Sequence, residues 1–285
     1  MKIYDCFTFF NELDLLEIRF NYMNPFVDRF VLIESQQTFS GSSKSLYFQQ
    51  HKDRFQKFLD KIIRIEAPVS DFADPWKREE FQRNMISNGL KDCEPNDVVM
   101  IGDVDEIPKK EAVDIFIRGG RSGMVLRQPA YIYYVNGFWD RSCVGTVICK
   151  YSELLEGIKP HALRLIRRHY KKIENGGWHF SYLGGPVEVV KKVAAYSHQE
   201  ENDPRFINVE RIRNRMNEGI EPGRRNRTVV FVPLDDTFPK FILDNKEKYP
   251  YLIKDVPPRI TPEQCSVVVT SSFISLCHPC TKMVE

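Results

Sequence analysis

The sequence predicts an α/β domain with a mixed central sheet, and three observations lead there. Short apolar, β-branched runs alternate with helical rhythms through the first 120 residues. The strongest of these runs shows no polar alternation, as in parallel strands covered on both faces. After residue 120, strand signals follow one another with little helix between them, which adds antiparallel or mixed strands to the first sheet.

In order, residues 3–10 form an apolar run closed by Asn11 and Glu12, and Leu13, Leu16, Ile18 and Phe20 predict a helix to Asn21. Residues 29–34 read as a buried strand, Ser40-Gly41-Ser42-Ser43 as a loop, and residues 62–65 as a strand. Phe81, Met85, Ile86 and Leu90 predict a helix over 76–90, and residues 97–102 are the cleanest buried strand. Strands are predicted at 124–127, 130–135 and 144–150. Residues 186–196 predict an amphipathic helix with Val187, Val190 and Ala194 on one face. Polar and mixed helices are predicted at 208–217 and 238–249, and a Pro-rich break at 257 opens a Val/Ser/Thr-rich tail.

Composition narrows the function. With 285 residues, 42% of them hydrophobic and 28% charged, the chain buries a full core and is not disordered. Its 41 basic and 39 acidic residues argue against a nucleic-acid binder, which needs a strong basic excess. Twenty Phe and twelve Tyr suit a site that stacks on flat rings or sugar faces. No apolar run of about 18 residues predicts a membrane span. Seven cysteines, an odd number, read as free thiols of a reducing compartment. With no signal or transit peptide pattern before the first strand, the sequence predicts a soluble, cytoplasmic protein. Cys277-His278-Pro279-Cys280 is half of a zinc pattern without a second pair at ligand spacing.

Two constellations carry chemistry. Gly102-Asp103-Val104-Asp105-Glu106-Ile107-Pro108 follows a buried strand directly, at the carboxyl edge where open α/β sheets bind ligands. Asp103 and Asp105, two apart, can point to one side in extended chain. Clustered carboxylates invite Mg²⁺ or Mn²⁺, shared with substrate phosphates; the plainer reading is an acidic turn before a helix. In Asn175-Gly176-Gly177-Trp178-His179-Phe180-Ser181-Tyr182-Leu183-Gly184-Gly185, glycine pairs flank a stacking Trp178 and a potential ligand, His179. The run His161–Lys172 holds Arg164, Arg167 and Arg168, whose forks suit a diphosphate or an acidic acceptor, while Lys171 and Lys172 read as a solvated face.

Asp103-Val104-Asp105-Glu106-Ile107-Pro108 and Gly177-Trp178-His179-Phe180-Ser181, with residues 2–12, Phe30-Val31-Leu32-Ile33-Glu34-Ser35, Thr38-Phe39-Ser40-Gly41 and Pro239-Lys240-Phe241-Ile242-Leu243-Asp244-Asn245, resemble glycosyltransferase family 17, the bisecting N-acetylglucosaminyltransferases. The resemblance runs over about residues 2–253. It implies one GT-A, Rossmann-like nucleotide-sugar-binding domain over 1–253, with an extension of unassigned role at 254–285. It implies an inverting transfer of N-acetylglucosamine from UDP-GlcNAc to a glycan hydroxyl, aided by Mn²⁺ or Mg²⁺ on Asp103, Asp105 and His179, with His198 as runner-up. Phe9, Asn11, Glu34, Arg83, Asn84, Asp103, Val104, Arg168 and Trp178 are the expected nucleotide-sugar contacts. Inversion needs a carboxylate base, and Glu106, Asp140, Glu188 and Glu200 are candidates. Animal members work in the Golgi lumen behind a membrane anchor, and this chain, starting at its first strand, is expected to be a compact bacterial or viral-type member instead. A sugar nucleotidyltransferase is the enzymatic alternative, weakened by the missing Gly-rich loop at Phe7-Thr8-Phe9-Phe10-Asn11; a carbohydrate-binding protein is the other.

Overall fold

The computed structural model describes residues 1–120, 122–140 and 143–256. Its larger sheet contains β1 (Ile3–Thr8), β2 (Arg29–Ser35), β3 (Ile62–Ala67) and β4 (Val98–Asp103). With β6 (Met124–Arg127), β9 (Val144–Lys150) and β10 (Lys171–Ile173), the order of this seven-stranded sheet is β10-β6-β9-β4-β1-β2-β3, while β5 (Glu106–Pro108), β7 (Ala130–Ile132) and β8 (Gly137–Asp140) belong to a second sheet. β1 to β4 are mutually parallel, β9 runs antiparallel to β4 and β6, and β10 is parallel to β6. The mixed α/β class predicted from sequence is the observed one. A smaller sheet of order β12-β8-β7-β11-β5 adds β11 (Gly177–Ser181) and β12 (Val230–Phe231).

The parallel strands are apolar on both faces because both are covered. Phe7, Phe30, Leu32 and Met100 pack into one core, and Tyr4, Cys6, Val31, Ile33, Val99 and Ile101 into the other. The helices are α1 (Leu13–Met23), α2 (Tyr47–Gln50), α3 (Pro75–Asn84), α4 (Lys110–Gly119), α5 (Tyr151–Leu155), α6 (Pro160–Ile166), α7 (Pro186–Ala195), α8 (Val209–Glu218) and α9 (Lys240–Asp244). α3 starts where Asp74 accepts from the Trp76 N–H at 2.9 Å, with Pro75 in the first turn. α8 is capped likewise by Asn208 and ends at Gly219 in the left-handed region.

The structure corrects three predicted elements. The helix expected over 76–90 becomes 3₁₀ after Asn84, over Met85–Gly89. α7 buries Val189 and Val193 against Ile132, Tyr133, Ile212 and Met216, and leaves Val187 exposed, because α8 and the smaller sheet set which stripe is inside. The helix expected at 238–249 shortens to α9 and two 3₁₀ turns. The short strands β8 and β10 give too little apolar pattern to read from sequence. The tail from 257, with its Cys-His-Pro-Cys segment, lies outside the described residues. No helix among the described residues is long and apolar enough to cross a membrane.

Candidate active site

The strand order places a ligand crevice. β2 and β4 flank β1 on opposite sides, so connections leave β1 and β4 in different directions at their carboxyl ends, the switch point of an open α/β sheet. Thr8 and Asp103 are neighbours in register there. A cavity of about 900 Å³ opens at this edge, lined by Phe9, Phe10, Phe39, Lys44, Asp103 and Asp105 at one end and by a group of arginines at the other.

The acidic turn is held from below by a residue that the sequence did not mark. Arg19 of α1 is fully buried and pairs with buried Asp5 of β1 at 2.6 Å. Its Nη1 donates to the carbonyls of Asp103, Val104 and Glu106 at 3.1, 3.1 and 2.5 Å. One guanidinium thus fixes the backbone of the turn while its charge stays neutralised.

The side chains above it are paired in turn. Asp103 receives Arg83 Nη1 at 2.8 Å and Arg164 Nη2 at 2.7 Å, one on each oxygen. Burial alone would raise the Asp103 carboxyl, but Arg83 and Arg164 hold it well below the usual carboxylate range. Arg164 also grips Glu106 with both Nη atoms at 2.8 and 2.9 Å, and the Asp103 N–H donates to the same carboxylate at 3.2 Å. Gly102 permits this packing: a Cβ there would stand 2.7 Å from Thr146 Oγ1 and 3.0 Å from Glu106 Oε2.

Asp105 faces another way. The turn after β4 sends its carboxylate to Lys192 Nζ at 2.7 Å and His179 Nε2 at 3.5 Å. Lys192 arrives on α7, which the chain enters through Gly184 and Gly185 at φ +91° and +90°, values that other residues rarely adopt. Burial raises the Asp105 carboxyl, but Lys192 and His179 outweigh it and hold it well below its ordinary value. His179 is the mirror case: burial lowers it, and Asp105 raises it well above the usual imidazole value.

A divalent cation, which the resemblance implies, meets two donors. Asp105 Oδ2 and His179 Nε2 are 3.5 Å apart, longer than a good hydrogen bond. Adjacent ligands about 2.1 Å from one octahedral ion stand about 3.0 Å apart, so the pair would have to close by about half an ångström to share such an ion. Asp103 is turned toward the arginines instead, one on each oxygen. Among the described residues no three His, Cys, Asp or Glu side chains form a metal-holding group. Substrate phosphates would have to complete the coordination, and the Lys192 ammonium would have to yield.

The other expected site residues separate. Phe9, Arg83, Val104, Asp140 and Arg168 line the cavity. Trp178 does not: it is buried against Tyr22 and Phe180 with Lys109 over its ring, so it is a packing residue. Glu34 is fully buried, pairs with Arg64 and accepts the Phe48 N–H at 2.8 Å. Asn84 accepts the His161 N–H, joining α3 to α6. Asn11 donates to Glu188 at 2.9 Å, away from the cavity lining. Glu106 lines the cavity, but Arg164 and Thr146 occupy its oxygens. Glu200 is exposed and paired with His198 at 2.6 Å; of the four base candidates Glu106 and Asp140 line the cavity, Glu106 held by Arg164 and Asp140 with Arg227 3.6 Å away. Sequence reasoning missed Arg19, Lys44, Lys192 and Glu79, which lines the cavity and pairs with Arg83 at 2.6 Å; only the two glycines before α7 hinted that its next residues approach the site.

Comparison with known proteins adds the following. The family profile described as Glycosyltransferase family 17 matches residues 1–222. The β-1,4-mannosyl-glycoprotein 4-β-N-acetylglucosaminyltransferase of Rattus norvegicus is 24% identical over 290 residues, covering 86% of this chain and 53% of that enzyme. The Homo sapiens enzyme of the same name is 24% identical over 288 residues, with 85% and 53% covered. The chain therefore spans about half the length of the curated relatives it matches. Among solved structures, the galactosyltransferase LgtC, in complex with donor and acceptor sugar analogues, has a TM-score of 0.34 at 9% identity, covering 91% of this chain and 99% of that one. The Francisella tularensis 2-C-methyl-D-erythritol 4-phosphate cytidylyltransferase has a TM-score of 0.34 at 10% identity, covering 61% and 89%. The relatives overturn the expected cytoplasmic placement: they are animal enzymes named for a glycoprotein substrate, the members that the resemblance puts in the Golgi lumen.

Proposed function

The chain belongs to glycosyltransferase family 17 and is an enzyme, and from that premise we propose that it transfers N-acetylglucosamine from UDP-GlcNAc to a glycan hydroxyl with inversion. The observation that carries this reading is the pairing, in one cavity at the sheet's switch point, of a phenylalanine-lined end with the Asp105–His179 pair.

Phe10 and Phe39 flank the uracil ring, and Asp103, whose side chain is 34% exposed, accepts from a ribose hydroxyl with lone pairs that the arginines leave over. Lys44 and Lys192 offer ammonium groups to the diphosphate. Mn²⁺ or Mg²⁺ held by Asp105 and His179 would supply further positive charge to the leaving phosphate. Asp140 takes the proton of the acceptor hydroxyl as that oxygen bonds to the anomeric carbon. The bond from that carbon to the phosphate oxygen breaks, and its electron pair leaves with UDP. Fixed cations around the phosphates lower the barrier because they need no reorganisation as charge develops.

Thermal denaturation with UDP and Mn²⁺ tests the reading. Ligand at 100 times its Kd stabilises by about 2.7 kcal/mol, and Asp105→Asn should remove the Mn²⁺-dependent part of that gain. A carbohydrate-binding protein would ignore UDP. A nucleotidyltransferase would exchange pyrophosphate and release no UDP from UDP-GlcNAc, and that outcome would sink the proposal.

A further inference from the structure

The end of the cavity away from the nucleotide strands has a charge imbalance. Arg127, Arg167, Arg168, Lys172, Arg225 and Arg227 line it. Asp140, 3.6 Å from Arg227, is the carboxylate on the same wall, and Glu174 reaches Arg127 at 3.5 Å. Among the described residues no carboxylate forms an ion pair with Arg167, Arg168, Lys172 or Arg225. Arg167 is aimed rather than neutralised: its guanidinium donates to the carbonyls of Val144 and Arg164 at 3.2 and 2.7 Å. Burial and the neighbouring Arg164 lower its basicity, against a partial offset from Glu106 and Asp103.

The donor does not account for this bank. Arg127 ends β6 and Lys172 lies in β10, and β6 is separated from β1 by β9 and β4. Three strand spacings are roughly 14 Å, about the distance from a diphosphate held beside β1 and β4 to a group beyond the transferred sugar. A neutral glycan would need hydroxyl partners there, not four unpaired cations. Trp139, with Arg227 5.5 Å from its ring centroid, offers a ring beside the same bank.

Building on the transferase reading above, we propose that the acceptor is an anionic glycan, carrying a phosphate or a carboxylate that Arg168, Lys172 and Arg225 receive. Arginine forks suit either anion, so the two sources share one recognition chemistry. Asp140 sits at the edge of the bank, where an acceptor anchored by its anion would bring a hydroxyl to it.

The test is UDP release from UDP-GlcNAc by the full chain with three acceptors: methyl α-mannoside, its 6-phosphate, and methyl glucuronide. At least one charged acceptor should show a kcat/KM about tenfold or more above the neutral one, and the advantage should shrink between 50 and 500 mM salt as screening grows. Which charged acceptor wins separates phosphate from carboxylate. In the double variant Arg168→Gln, Arg225→Gln, the KM for that acceptor should rise about tenfold while the KM for UDP-GlcNAc moves less than twofold; Lys172→Gln is the second, independent variant. Equal use of neutral and charged acceptors overturns the inference and leaves the transferase reading standing. A parallel rise in donor KM also overturns it, assigning the cations to the donor diphosphate. No turnover or binding of any UDP-sugar overturns both.

Discussion

At the end of the cavity beside β1 and β4, each charge of the acidic turn has a partner inside the protein, Asp103 with Arg83 and Arg164, Glu106 with Arg164, and Asp105 with Lys192 and His179, and beneath the turn Asp5 pairs with Arg19. At the other end, Arg168, Lys172 and Arg225 stand exposed with no carboxylate pairing them among the described residues. The first arrangement is buried, and losing one partner would strand another charge in a dry setting. The second is solvated, so it costs little to keep and can give its charge to a ligand.

Asp140 is the exception in the basic end, and its removal should have the largest effect. Asp140→Asn should lower kcat by about 10²–10⁴ with donor KM near the wild-type value. A kcat within threefold of wild type in steady-state assays would move the base elsewhere.

Next comes the foundation of the acidic end. Arg19→Met leaves Asp5 charged and buried and withdraws donors from three carbonyls. Urea denaturation should show a loss of about 3–5 kcal/mol. A loss under 1 kcal/mol would mean that the two ends are organised alike.

A smaller contrast can be drawn with single methyl groups. Gly102→Ala presses on Thr146 and Glu106 and should cost about 1–3 kcal/mol. Arg168→Ala, at the basic end, should stay within about 0.5 kcal/mol. Melting curves that rank the two in reverse order would break the comparison.

The smallest effect concerns pH. His161 is buried beside α3, and burial together with Arg83 lowers its pKa below the ordinary value. Its folded pKa being depressed, the unfolded chain takes up the proton first. The contribution of His161 to stability is therefore fully present above about pH 6.5 and is lost as pH falls toward the folded value. His161→Gln should flatten the stability profile across that window. A profile with unchanged slope in denaturation at pH 7.5, 6.5 and 5.5 would refute the assignment.

Much of the fold was legible because strand burial is a local property. A run such as Val98–Ile101 is apolar whatever surrounds it, and its position told where the acids stand. The site was legible as far as the residues that lie on such edges: Asp103, Asp105 and His179 do meet around one cavity. Trp178 was misread because flanking glycines look alike whether they expose a ring or let it pack; here Gly177 is close to the Ile107 carbonyl, and the indole turns inward against Tyr22. Glu34 and Asn84 were misread because a polar residue that ties two elements together resembles one that waits for a ligand until its partner, Arg64 or His161, is placed.

The sequence by itself determined the α/β class, the carboxyl edge that carries the acids, and the histidine that joins them, since these follow from periodicity and from short motifs. Tertiary structure alone decided which charges are spent. Arg19 is 84 residues from Asp103 and Lys192 is 87 from Asp105. No local pattern encodes such pairings, because a charge's role depends on the distance to its nearest opposite, and folding sets that distance.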